Sequence, residues 1–94
     1  MATGTIYAGY DNYQRLQNSA NLDNITYSTN NIYYWYSAPQ NAPESVDNGF
    51  MIVKKNPADG RVAQIVYTFK NIYIRVHFGT SWEPWYKFTG TALN

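Results

Sequence analysis

Two long apolar segments separated by one dipeptide constrain the fold of this 94-residue chain more than any other feature. The segments 61–69, "RVAQIVYTF", and 72–78, "IYIRVHF", flank residues 70–71, which have the length of a two-residue β-hairpin loop. Folding the chain there places Ile65 opposite Val76 and gathers every apolar pair of the two strands on one face. Because a one-residue slip would mix apolar and polar pairs, this register is the one that the pattern favours.

The predicted hairpin has a core face and a wetter face. Phe69 is expected opposite Ile72 on the core face, and Gln64 opposite His77 on the other. The wetter face also carries Tyr73 and Arg75, so we expect it to be polar, aromatic and open to solvent.

The rest of the chain predicts further short strands joined by polar loops. Turn-forming residues separate the β-rich segments, with an Asp-Gly hairpin signal at the end of 56–60. The predicted strands are 30–37, 50–55 and 82–88, and the predicted loops and turns are 38–49, 56–60 and 79–81. Within 30–37, we expect the face with Ile32, Tyr34 and Tyr36 to be more buried than the face with Tyr33 and Trp35.

The N-terminal part differs from the remainder. Tyr7, Tyr10, Tyr13 and Leu16 recur about every three residues, which is typical of one face of a short helix. Residues 1–21 are therefore interpreted as a lead-in to a fibre shaft or as a stripe between subunits, and 22–94 as a β-rich domain. The predicted fold is mainly β: a small antiparallel sheet or sandwich of four to six short strands with long loops, preceded by a short helix or an extended lead-in.

Composition excludes several classes of function. The net charge is +1 and only 14% of residues are charged, which argues against a nucleic-acid-binding surface or an anionic-membrane surface. The sequence contains no cysteine and one histidine, and it has no apolar run near the roughly 18 residues of a membrane span. We therefore expect no metal, no cofactor and no membrane insertion, and the sequence shows no signal peptide.

An enzyme is not the expected function. His77 is predicted to lie opposite an amide, not a carboxylate, so no catalytic constellation supports it. Glycoside hydrolysis needs two carboxyl groups about 5–9.5 Å apart. The acids Glu44, Asp47 and Asp59 instead fall in predicted loops and turns. No catalytic residues are predicted.

The aromatic content, 18% of residues with ten tyrosines and three tryptophans, favours a binding module. Trp85 and Arg75 are interpreted as a structural cation–π pair that closes the core. The candidate glycan-binding residues are Trp82, Tyr73, Gln64, His77, Trp35 and Asn41.

The order of several short motifs resembles the pyocin-knob-like domains of phage tail fibres and receptor-binding proteins. The matching pieces, in chain order, are "LDNIT" (22–26), "IYYW" (32–35), "NAP" (41–43), "GFMIV" (49–53), "VAQI" (62–65), "IYIR" (72–75) and "WEPW" (82–85). Asn31 departs from the pattern, which usually has glycine there, although asparagine tolerates the left-handed conformation. The resemblance covers roughly residues 22–88.

This resemblance implies a non-enzymatic knob at the distal end of a virion tail fibre, usually a homotrimer, that attaches to a host cell-surface polysaccharide or wall glycan. Its other partners would be tail-fibre and baseplate subunits. A fibre spacer or trimerisation module that binds no ligand, a polysaccharide-degrading tail enzyme and a carbohydrate-binding module of a cellular protein are the alternatives.

Overall fold

A computed structural model describes residues 13–26 and 32–94 and shows a mainly β protein. Seven strands form one mixed sheet: β1 (Tyr13–Arg15), β2 (Ile32–Tyr34), β3 (Phe50–Lys55), β4 (Val62–Tyr67), β5 (Asn71–Phe78), β6 (Ser81–Trp82) and β7 (Tyr86–Thr89). Two short 3-10 turns span Leu22–Asn24 and Pro43–Ser45. Among the described residues, no helix is long and apolar enough to cross a membrane.

The sheet follows the chain from one edge to the other. The strand order is β1-β2-β3-β4-β5-β6, and β7 also pairs with β5. The pairing of β1 with β2 is parallel, and the other strand pairings are antiparallel. The predicted strand at 50–55 is confirmed at its exact bounds, and the predicted turn at 56–60 ends on Gly60, whose φ is 80°.

The predicted register of the β4–β5 hairpin is wrong by two residues. Tyr67 pairs with Ile72 and Ile65 pairs with Ile74, so the turn spans 68–71 and not 70–71 alone. Thr68 closes this turn by donating its backbone N–H to the carbonyl of Asn71 at 3.0 Å. Phe69 is therefore fully exposed at the tip instead of lying on a core face.

The predicted assignment of the two hairpin faces is also wrong. Gln64 and Arg75 pair directly with each other, and both are buried, at 0% and 5% exposed. Tyr73 lies on the same face and is 1% exposed, whereas Ile72 on the opposite face is 40% exposed. The hairpin face that was predicted to be open to solvent is therefore the face that the loops cover.

The same inversion holds on β2. Tyr33 and the adjoining Trp35 are buried, while Tyr36 is 57% exposed, contrary to the expectation that the Tyr36 side is the more buried one. We call the covered side of the sheet the inner face and the other side the outer face.

Two segments cover the inner face and complete the core. Residues 16–26 contribute Leu16 and Leu22, and the loop 38–49 lies against Trp35. Gly49 permits this approach, because a Cβ there would lie 2.6 Å from Cζ2 of Trp35. The core residues are Leu16, Leu22, Tyr33, Trp35, Met51, Val53, Val62, Val66 and Tyr73.

The lead-in predicted for residues 1–21 is only partly within the described chain. Residues 13–15 form a sheet strand and Leu16 is 7% exposed in the core, so this part is continuous with the rest of the fold. The helical periodicity predicted through Tyr13 and Leu16 is wrong for this described part. Tyr7 and Tyr10 lie outside the described residues.

Candidate functional site

A cleft of about 710 Å³ opens at the end of the inner face where β5 turns into β6. Its walls come from the Leu22–Asn24 turn, the start of the 38–49 loop and the segment 80–85. Six residues determine its chemistry: Asp23, Asn41, Arg75, His77, Trp82 and Trp85. The volume falls within the range of about 300–1,000 Å³ that is typical of ligand pockets.

Arg75 lies between two indole rings. Its guanidinium carbon is 4.1 Å from the ring centroid of Trp82 and 4.5 Å from that of Trp85. The chain brings both rings to one guanidinium because Glu83 still pairs with β5, donating its N–H to Val76 O at 2.8 Å, while Pro84 has no N–H to continue the ladder. The predicted cation–π contact between Arg75 and a tryptophan is confirmed.

A hydrogen bond and an ion pair also hold the same guanidinium. Arg75 Nε donates to Gln64 Oε1 at 2.9 Å, and Arg75 Nη1 lies 2.9 Å from Asp23 Oδ1. Gln64 Nε2 in turn donates to the carbonyls of Leu22 and Ile25, at 2.7 and 2.9 Å. Burial lowers the pKa of Arg75, and the Asp23 carboxylate opposes that shift. The guanidinium stays charged, because its pKa starts so far above neutral pH.

Both indole N–H groups tie the covering segments to the sheet. Trp82 Nε1 donates to Asp23 O at 3.1 Å, and Trp85 Nε1 donates to Asn41 O at 3.0 Å. Asn41, whose φ is 65°, donates its side-chain amide to Asp23 Oδ2 at 3.0 Å and to Asn21 Oδ1 at 2.8 Å. Hydrogen bonds from both indoles and from the Asn41 side chain thus fix the wall of the cleft.

The rim of the cleft is polar and accessible. His77 is half-buried and meets Trp82 edge-on, with ring centroids 5.0 Å apart. Thr80, Ser81 and Glu83 are exposed beside it. In such an arrangement the indole can stack on the apolar face of a ligand ring. The surrounding hydroxyl, imidazole, amide and carboxylate groups can hydrogen-bond the polar substituents of that ring.

The structure brings together three of the six candidate glycan-binding residues. Trp82, His77 and Asn41 line the cleft, together with the structural pair Trp85 and Arg75. Their grouping there does not by itself test the predicted ligand contacts.

The other three candidates lie in the core. Trp35 and Tyr73 are each 1% exposed and Gln64 is 0% exposed. Trp35 Nε1 donates to Val46 O at 2.9 Å, and the Tyr73 hydroxyl donates to Glu44 Oε1 at 2.8 Å. Their side chains are therefore not placed to meet a ligand at the surface.

Asp23 is the site residue that sequence reasoning missed. A buried arginine requires an acidic partner, yet the six acids of the chain are scattered and nothing in their spacing selects this one. Asp23 and Glu83 are the two carboxylates that line the cleft, and Asp23 is already bound by Arg75 and Asn41. Within 13–26 and 32–94, no group of three metal-ligating side chains occurs.

Comparison with known proteins adds no relative. No family model matches the chain, and neither a curated protein nor a solved structure does.

Proposed function

We propose that this chain is a non-enzymatic receptor-binding knob that attaches a bacteriophage tail fibre to a host cell-surface polysaccharide or wall glycan. The observation that supports the proposal most is the cleft in which Trp82 adjoins a polar rim. The resemblance of the motifs in 22–88 to tail-fibre knobs supports it independently. A place at the distal end of the fibre, assembly as a homotrimer and contacts with other tail-fibre or baseplate subunits belong to the same proposal.

The two tryptophans of the cleft would have different roles. One face of each indole is occupied by Arg75, so Trp85 and Arg75 hold the wall and the accessible part of Trp82 meets the sugar. The groups that bond the hydroxyls would be His77, Asn41 and the exposed side chains of Thr80, Ser81 and Glu83. Binding at such an open site would be weak for one sugar and would gain strength from several copies on a repetitive polymer.

Titration of intrinsic tryptophan fluorescence with a panel of bacterial wall glycans tests the proposal. A saturable change with one class of glycan is expected. Thr80→Val removes a hydroxyl from the rim without disturbing the core and should weaken that binding several-fold. Thr91→Val is the matched control, because Thr91 follows Gly90, which pairs with Lys70 near the opposite end of β5. Equal loss with both variants, or no response across the panel, would overturn the assignment to this cleft.

A second candidate, a fibre spacer or trimerisation module that binds no ligand, is favoured by a separate observation. The outer face of the sheet exposes many aromatic side chains, including Phe50 and Phe88 at 48% and 55%. Silence across the glycan panel from an assembled, folded protein would favour this candidate.

A further inference from the structure

The outer face of the sheet is a broad apolar surface that no segment of the described chain covers. Its residues occupy matching positions on adjacent strands, so that Ile32, Ile52, Ile65, Ile74 and Tyr86 form one row. A second row consists of Tyr34, Phe50, Tyr67, Ile72 and Phe88. Within residues 13–26 and 32–94, this face therefore lacks the second layer that domains normally provide.

The exposed area of this face approaches that of a protein interface. Six aromatic side chains on it are each 48–60% exposed: Tyr13, Tyr36, Phe50, Phe78, Tyr86 and Phe88. Since an aromatic side chain has roughly 150–250 Å² to bury, these six alone present on the order of 600 Å². A standard interface buries about 800 Å² per partner, whereas the largest apolar patch of a typical monomer covers about 300–600 Å².

The charged side chains of this face lie outside its two rows. Lys54 follows Ile52 on the same face of β3, Arg15 lies over the ring of Tyr36 at 4.8 Å, and Arg61 lies over the ring of Phe78 at 5.7 Å. The two rows across its centre contain only isoleucine, tyrosine and phenylalanine. A charge-depleted aromatic centre with a cationic rim is typical of the buried part of a protein–protein interface. A neutral centre also allows the same surface to meet itself without repulsion.

The two ends of the face differ in how they expose apolar surface. Near β1–β3 a depression of about 610 Å³ is lined by Tyr13, Ile32, Tyr34, Tyr36, Phe50 and Ile52. At the β7 edge, the side chains of Tyr86 and Phe88 are 60% and 55% exposed, and we call these two side chains the ridge. One end thus has an apolar depression, and the other presents two exposed aromatic side chains.

We propose that the ridge of one copy of this chain packs into the depression of another copy. The contact is reciprocal in a two-fold pair and cyclic in a three-fold ring, so both symmetries use the same two patches. It leaves the Arg75 cleft open, because that cleft lies on the inner face. This contact rests on the proposed function only in that it would supply the assembly of copies assumed there. Its failure would leave binding of a single glycan in the cleft untouched, so the two failures are distinguishable.

Sedimentation velocity of the wild-type protein and of three charge variants tests this contact. The wild-type chain should form a dimer or a trimer as its concentration rises from micromolar to millimolar. Phe88→Lys in the ridge and Phe50→Lys in the lining of the depression should each raise the dissociation constant at least tenfold. Phe69→Lys is the matched control, because Phe69 is 100% exposed at the β4–β5 turn and lies outside both patches; it should assemble as the wild type does.

Three results would overturn the proposal. A wild-type chain that stays monomeric at millimolar concentration has no such contact. If assembly persists in both Phe88→Lys and Phe50→Lys, another surface of the molecule makes the contact. Assembly that Phe69→Lys disrupts equally would reflect general hydrophobic adhesion. Far-UV circular dichroism of each variant confirms that the half-exposed positions tolerate lysine with the fold intact.

Discussion

The inner and outer faces of this sheet differ in a way that reverses the usual expectation. The inner face carries Gln64 and Arg75 and is covered by two loop segments, whereas the outer face carries rows of isoleucine and aromatic residues and is open. The polar pair is tolerated inside because Arg75 Nε bonds Gln64, Arg75 Nη1 pairs with Asp23 and the Gln64 amide bonds the Leu22 and Ile25 carbonyls. Within this pair, only Arg75 Nη2 is buried without a hydrogen-bond partner among the described residues. Burial here is thus decided by where the loops lie and not by the hydrophobicity of a strand face.

The largest expected effect comes from exchanging polarity between neighbouring residues on the two faces. Gln64→Leu leaves the Ile25 carbonyl and Arg75 Nε without their partner, and each such loss costs about 1–3 kcal/mol. It also removes one of the two hydrogen bonds to the Leu22 carbonyl, which keeps the bond from the Ile25 N–H. We expect the free energy of unfolding in urea to fall by about 3 kcal/mol or more.

The matched variant is Ile65→Gln, at a position that is partly exposed and makes no buried hydrogen bond through its side chain. At concentrations where the chain is monomeric, it should lower the free energy of unfolding by only about 1 kcal/mol, since only part of the isoleucine burial is lost and no buried polar group loses a partner. Equal losses in the free energy of unfolding for the two substitutions would contradict the difference in burial between the inner and outer faces.

A smaller effect is expected at the guanidinium between the two indoles. Arg75→Lys keeps the charge but loses the planar stack on Trp82 and Trp85 and the fixed fork of donors. Unfolding should become easier by about 2 kcal/mol, because a desolvated cation–π contact contributes up to about that much. Near-ultraviolet circular dichroism should show the altered packing of the indoles.

Arg61→Lys provides the control at the rim of the outer face. Arg61 is largely exposed, stacks loosely on Phe78 and pairs with Asp59 at 2.7 Å. Its replacement should change the stability by less than about 0.5 kcal/mol, as is usual for surface ion pairs. A comparable loss at both positions would contradict a special role for the buried arginine.

The smallest effect is a dependence of stability on pH that arises at the β7 end of the inner face. The Lys87 ammonium, 2.9 Å from Glu44 Oε1, and the Tyr73 hydroxyl lower the pKa of Glu44 below its usual 4.5. Because the folded carboxyl group has the lower pKa, its contribution is present above about pH 4.5 and is lost as the pH falls through the folded value.

Thermal unfolding followed by circular dichroism checks this contribution. Glu44→Gln should flatten the decline of the melting temperature on acidification relative to the wild type. Lys87→Met, which removes the partner on β7, should flatten it similarly. If the melting temperature of both variants falls on acidification as steeply as that of the wild type, other carboxylates cause the acid sensitivity.

The sequence predicts the 50–55 strand and the Asp-Gly turn but not the register of the β4–β5 hairpin or the burial of the strand faces. The 50–55 strand and the Asp-Gly turn follow from local propensity, so they were predictable. Alternation along 62–78 indicates two faces, but both are apolar enough to be a core, and the pattern favours the more aliphatic one. Only the tertiary path of residues 16–26 and 38–49 decides the choice.

The candidate site was predictable to the same extent. The sequence predicts Trp85 and Arg75 as a cation–π pair because a guanidinium and an indole face are complementary, but it does not predict that Arg75 also stacks on Trp82. Asp23 was missed because it is distant in sequence and its turn is fixed by Asn21, whose side chain accepts a hydrogen bond from the Asp23 N–H at 2.9 Å. Gln64 was misplaced because its partners are backbone carbonyls, which any sequence offers.

We propose that the inner cleft binds a glycan and that the outer face joins copies of the chain. The decisive experiment measures binding of Phe88→Lys to a short oligosaccharide and to the parent polymer, beside Phe69→Lys and wild type. An unchanged dissociation constant for the oligosaccharide and a loss of at least about 100-fold for the polymer are expected, because only multivalency is removed. Loss of oligosaccharide binding, or full retention of polymer binding by a monomeric variant, would contradict these two proposals.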